Sequence, residues 1–158
     1  MNENKNSFDL TDSILRVLGI MGLLGAVFSG FIVSGGNVLT LVHPAEIIIV
    51  LGTIFFGLLC THRSSFLAYL PKAAKACVKK AIPNKEYCQI SDNARGYAAA
   101  GGGMAVILSL ISTMSNLEHP EQVGLRVGAA MSGVFVAMLL SQGLFFYLRY
   151  CFSENGAK

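Results

Sequence analysis

The residues of this chain whose types could carry chemistry are three histidines, four cysteines and a few hydroxyls set in apolar surroundings. His43, His62 and His119 stand at the ends of apolar runs or between them. None has the spacing of a nucleophile–base grouping. Cys60, Cys77, Cys88 and Cys151 form no CxxC pair and no Cys/His set with metal-ligand spacing, so no metal site is expected. Cys60, Cys77 and Cys88 fall at or beside a basic central segment. If that segment and the region of Cys151 are cytoplasmic, the thiols stay reduced and unpaired. Gly101-Gly102-Gly103 lacks the Lys-Ser/Thr that completes a phosphate-binding loop. The pattern predicts no enzyme activity and no cofactor. What remains is Ser109, Ser112, Thr113 and Ser132, with Ser141 further on. These hydroxyls either line a solvated ion path or return hydrogen bonds to their own helix carbonyls. No ionisable group stands in the middle of an apolar run, where it would mark a substrate or ion route by default. That argues against a self-contained pump or transporter.

The elements that must position these hydroxyls are membrane helices. Of the 158 residues 53% are hydrophobic and 13% charged, against roughly 25% charged in a soluble domain. The net charge of +3 is too small to suggest nucleic acid as a partner. Apolar runs predict spans over 14–33, 44–61, 96–114 and 123–148. A bilayer core needs about 20 such residues. Residues 1–13 are polar and acidic, unlike the basic start of a cleaved signal. Gly35, Gly36 and Asn37 supply a turn, and Pro44 with Glu46 opens the second span. Glu46 is expected near its outer end. The organisation is then an N-terminal segment 1–13, a first transmembrane hairpin 14–61, a basic loop 62–95, a second hairpin 96–148 and a tail 149–158. Within the loop, Phe66, Leu67 and Leu70 with lysines behind them suit an amphipathic helix on the membrane surface, ended by Pro83-Asn84.

The central loop holds seven of the twelve Lys and Arg residues. The turns at 34–44 and 115–120 hold none. Since cytoplasmic loops collect positive charge, both termini and the central loop are expected in the cytoplasm. The spans also carry small residues at helical spacing: Gly22, Ala26, Ser29 and Gly30 in the first; Gly96, Ala100 and Gly103 in the third; Gly124, Gly128, Ser132 and Gly133 in the fourth. Such stripes let helix backbones approach closely in lipid. Gly22, Gly30, Gly124, Gly128 and Gly133 are therefore expected to pack helices, within a tight bundle or between copies. The other reading is that glycine is simply common in membrane helices.

The stretch from Leu24 to Gly52, with Gly35-Gly36 after the first span and Pro44-Ala45-Glu46 opening the second, resembles the MotA family of flagellar motor stator proteins. Glu118 to Leu148, including Ala130-Met131-Ser132-Gly133, is similar to the family's last two helices. Phe66 to Tyr87 is faintly similar to the start of its cytoplasmic region. TolQ and ExbB, of the same proton-channel superfamily, lack the Pro-Ala-Glu opening. The resemblance implies an all-α fold with four membrane helices in a bacterial inner membrane. It also implies a homo-oligomer, a pentameric ring, around a MotB-like single-span partner that brings an essential Asp, with ion flow coupled to mechanical work. The third and fourth spans would face the inside of the ring. The short segment 62–95 implies a reduced form lacking most of the family's cytoplasmic domain. Arg95 stands where the family has Pro, and Val134 where it has a hydroxyl residue. The alternative function is a structural membrane component of a secretion or conjugation apparatus that keeps the fold without ion coupling.

Overall fold

A computed structural model of the chain describes residues 3–36, 43–77, 82–115 and 120–153. Asn37, Lys79, Lys80, His119 and the tail beyond 153 lie outside the described residues. The described elements are all helical: α1 Glu3–Val33, α2 Pro44–Ala76, α3 Lys85–Met114, α4 Pro120–Met138, a π-helical segment Leu139–Phe145 and α5 Phe146–Phe152. The last three follow one another without a break and occupy the expected fourth span. Among the described residues three helical stretches are long and apolar enough to cross a membrane: Pro44–Ala76, Lys85–Met114 and Arg126–Phe152. A shorter apolar stretch, Val17–Val33, lies within α1. The fold is that of an all-α membrane protein.

The helix ends follow from the sequence. α1 stops in a Schellman turn: Gly36 N–H donates to the Phe31 carbonyl at 3.0 Å and Gly35 N–H to that of Ile32 at 2.9 Å. Gly35 takes φ 81°, a left-handed conformation that a Cβ disfavours. A Cβ at Gly36 would meet the tip of the Phe31 ring at 2.5 Å, so that ring would have to move. Pro44 occupies the first turn of α2, where its missing N–H costs nothing. Asn84 caps α3 by accepting from the Glu86 N–H at 2.9 Å.

α2 is kinked at Arg63, whose φ 45° and ψ −121° are non-helical, so that residues 64–76 form a helical part of their own. Its far part buries Phe66, Tyr69, Ala73 and Ala76 in the same core cluster as Tyr87, Ile90 and Ala94 of α3 and Phe152 of α5. Tyr69, Tyr87 and Phe152 form a ring cluster with centroids 5.4–5.9 Å apart. The Tyr69 hydroxyl lies 2.9 Å from Ser91 Oγ. Asn84 therefore starts a helix as well as marking the end of a turn, and α3 begins eleven residues before Gly96, at Lys85.

The membrane core is built on one face of α3. Ala94, Ala98, Gly101, Gly102 and Ala105 are buried there, at the helical spacing that lines up one side. A Cβ at Gly101 would lie 3.1 Å from the Val50 backbone of α2, and one at Gly102 2.5 Å from the Ala137 Cβ of α4. Two helices thus close on α3 at adjacent residues. Among the described residues α1 makes little backbone contact with the other helices and meets α4 through Phe28 against Phe135 at 6.3 Å.

Gly102 and Gly103 differ only in which side of α3 they occupy: a Cβ at Gly103 meets nothing within 4 Å. Gly102→Leu is expected to destabilise the bundle by about 1–3 kcal/mol through overpacking, and Gly103→Leu to leave it nearly unchanged. Thermal unfolding in detergent, followed by circular dichroism, checks this. Equal melting of the two variants would contradict the packing assignment.

Candidate functional site

The hydroxyls singled out in the sequence do not form one column. Ser109 Oγ donates across to the Arg126 carbonyl of α4 at 3.0 Å. Arg126 Nη1 donates back to the Ser112 carbonyl and Oγ at 3.0 and 2.9 Å. Thr113 Oγ1 bonds the Ser109 carbonyl one turn earlier at 2.8 Å. Ser109 and Ser112 thus tie the α3–α4 hairpin together around Arg126, while Thr113 bonds within α3. Ser132 lies apart, 3% exposed, donating to the Ala129 carbonyl at 2.7 Å and lying 3.5 Å from His43 Nδ1. Back-bonding describes Thr113 and Ser132; Ser109 instead joins two helices.

Ser132 sits beside the start of α2. Glu46, in the first turn, is buried at 8% exposure. Its Cβ and Cγ would lie 3.1 and 3.2 Å from a Cβ at Gly133, and Ala105 would lie 3.1 Å away from it. The sequence puts Glu46 at the outer end of its span, and it does open the helix. It is nonetheless enclosed, because the α3–α4 hairpin runs past it: from Ala105 to Met114 is about 13 Å of helix. Pro44, Ala45 and Glu46 thus bring His43, Glu46 and Ser132 to one place at the α2–α3–α4 junction. Gly133 is the one predicted packing glycine that makes a close contact within the chain. Gly22, Gly30, Gly124 and Gly128 have nothing within 4 Å. The close contacts that sequence reasoning missed are at Gly57 against the Tyr97 ring, Gly101 and Gly102.

A second polar cluster lies at the other end of α3. Asp92 pairs with Arg95 at 3.3 Å and with Arg149 at 2.9 Å. Arg95 Nη2 donates to Gln142 Oε1 at 3.1 Å, and Ser141 Oγ donates to the Arg95 carbonyl at 3.2 Å. The wider turn of the π-helical segment lets the consecutive residues Ser141 and Gln142 both engage α3. The Arg95 guanidinium lies 5.2 Å from the Phe146 ring centroid. The i,i+3 spacing of Asp92 and Arg95 was the available sequence signal; the distant Arg149 and Gln142 had none. Nearby, Cys77 follows α2 and is half-buried. Burial, then the neighbouring Cys151, push its thiol pKa up. None of the four cysteines is in a disulfide. Among the described residues no group of three or more His, Cys, Asp or Glu could hold a metal ion.

Residues 17–90 match the family described as motility protein A N-terminal. The matched stretch takes in the apolar part of α1, the Gly35-Gly36 turn, the Pro44-Ala45-Glu46 opening, all of α2 and the start of α3. No curated protein and no solved structure matches the chain. Residues 17–90 are thus similar to the N-terminal part of motility protein A.

Proposed function

We propose that the chain is a MotA-like, stator-type subunit of a bacterial inner membrane. Copies form a ring, five by resemblance, around a MotB-like single-span partner, and ion flow past the partner's Asp is coupled to mechanical work. The family match over 17–90 carries this reading. Three features support it. Gly22, Gly30, Gly124 and Gly128 leave open small-residue stripes for neighbouring helices. The span regions of α3 and of α4 through α5 contain no Asp or Glu, so a carboxylate on the ion path comes from outside them. Lys and Arg concentrate between the second and third spans, the bias that cytoplasmic loops carry.

Two observations favour the second reading, a structural component of a secretion or conjugation apparatus. Ser109, Ser112 and Thr113 are engaged with backbone or with Arg126, and Arg95 occupies the position where the family has Pro. Proton entry separates the two readings. In cells placed in acid medium, co-expression with an Asp-bearing single-span partner is expected to acidify the cytoplasm, and Asp→Asn in that partner to abolish the effect. Stable membrane assembly of both proteins without acidification supports the structural reading.

Topology is tested at Cys77. In a form with Cys60 and Cys88 changed to Ser and Cys151 to Ala, a membrane-impermeant maleimide is expected to label Cys77 in inverted vesicles and not in spheroplasts. Because burial disfavours the thiolate, labelling should still be accelerating at pH values where an ordinary thiol has levelled off. Labelling from the spheroplast exterior contradicts a cytoplasmic central segment.

A further inference from the structure

α1 and the fourth-span helices leave a crevice between them. It consists of two adjoining cavities of about 300 and 330 Å³ that share Ile20, Leu23, Gly143 and Tyr147. On the α1 side it runs from Leu15 to Phe28, about 20 Å of helix. That exceeds the roughly 15 Å depth of one leaflet of the hydrocarbon core. The walls are almost wholly apolar, and an apolar space of this kind does not hold ordered water, which needs polar partners. In a bilayer it fills with something apolar.

The mouth of the crevice says what. Gln142, Phe146 and Tyr150 line its end at the α5 side. Two of these three touch Arg95: Gln142 accepts its Nη2 hydrogen bond, and the Phe146 ring stacks on its guanidinium. Arg95 Nε is buried with no hydrogen-bond partner. Arg149 lies across the shared Asp92, so two cations face one carboxylate and the cluster keeps a net charge of +1. A long apolar slot that ends at excess positive charge is complementary to an acyl chain attached to a phosphate.

We propose that one anionic phospholipid binds each chain here, an acyl chain lying between α1 and the π-helical segment and the headgroup phosphate at Arg95 and Arg149. The site requires neither the ring nor the partner subunit. It gives α1, which among the described residues makes little backbone contact with the other helices, a lipid through which to adhere to the core. It also gives a reason for the contacts of the Arg95 guanidinium with Gln142 and Phe146, two residues that line the mouth.

Native mass spectrometry of the delipidated full chain, titrated with phosphatidylglycerol or with phosphatidylcholine of the same acyl chains, tests the site. The expected result is one phosphatidylglycerol retained per chain under activation that strips phosphatidylcholine. Arg95→Gln is expected to reduce that preference about fivefold. Gly143→Phe fills open space, since a Cβ there meets nothing within 4 Å, and is expected to release both lipids. Leu23→Trp narrows the same slot from α1 and repeats the test should Gly143→Phe fail to fold. Equal retention of the two lipids by the wild type, or undiminished retention in the slot-filling variants, overturns the proposal. So does a slot-filling variant that alters oligomer mass and not lipid retention, which would assign the crevice to a second copy of the chain.

Discussion

On α3, Ala94, Ala98, Gly101, Gly102 and Ala105 present a face with almost no side chain, and the other membrane helices are arranged about it. In lipid, water supplies no hydrophobic drive between helices, so association depends on close backbone approach and van der Waals contact. Gly101 admits the α2 backbone at Val50, and Gly102 admits α4 at Ala137. Because α2 and α4 both close on α3, they also close on each other, and Gly133 of α4 comes against Glu46. The enclosure of Glu46, the approach of His43 to Ser132 and the alignment that lets Ser109 reach the Arg126 carbonyl all follow from that single face. α1 has no such surface toward the core, and a crevice is left where it stands.

Much of this was legible in the sequence wherever local chemistry decides. Gly35 and Gly36 marked the end of α1, one through a left-handed φ and the other through the Phe31 ring. Pro44 marked the start of α2. The apolar runs located the membrane stretches, and the all-helical membrane fold followed from them. The inward side of α3 was not legible. Residues 98–103 read Ala-Ala-Ala-Gly-Gly-Gly, so every side of that helix is small, and only the approach of α2 and α4 selects Ala98, Gly101 and Gly102 over Ala100 and Gly103. The kink in α2 was hidden for a different reason: it lies at Arg63 with φ 45°, a conformation that no Arg in a sequence announces. The burial of Glu46 likewise comes from how far the α3–α4 hairpin overshoots α2, a tertiary length that no local pattern encodes.

The polar groups divide the protein by role. Around Arg126 the hydroxyls of α3 are engaged in holding a hairpin together. Around Asp92, Arg95 from the next turn of α3 and Arg149 from α5 share one carboxylate, and the Arg149 pair fastens α3 to α5. At the junction of α2, α3 and α4, His43, Glu46 and Ser132 meet within the segment that matches the family and its neighbour in space. A chain arranged in this way supplies scaffold, a polar junction and open glycine stripes. The proposed function gives a reason for all three: a scaffold with open stripes suits a subunit that works beside other copies and a partner.

The central claim is that the glycine stripes left open within one chain are closed by other copies. Its most direct measure is the native mass of the chain in lipid nanodiscs, wild type against Gly128→Leu. The stripe at Gly124 and Gly128 has nothing within 4 Å in the single chain, so the substitution leaves the subunit fold intact and separates neighbouring backbones. The account predicts a wild-type assembly of several chains, five by the family resemblance, and a smaller species for Gly128→Leu. A wild type that is a single chain, or an assembly that Gly128→Leu leaves unchanged, would contradict it.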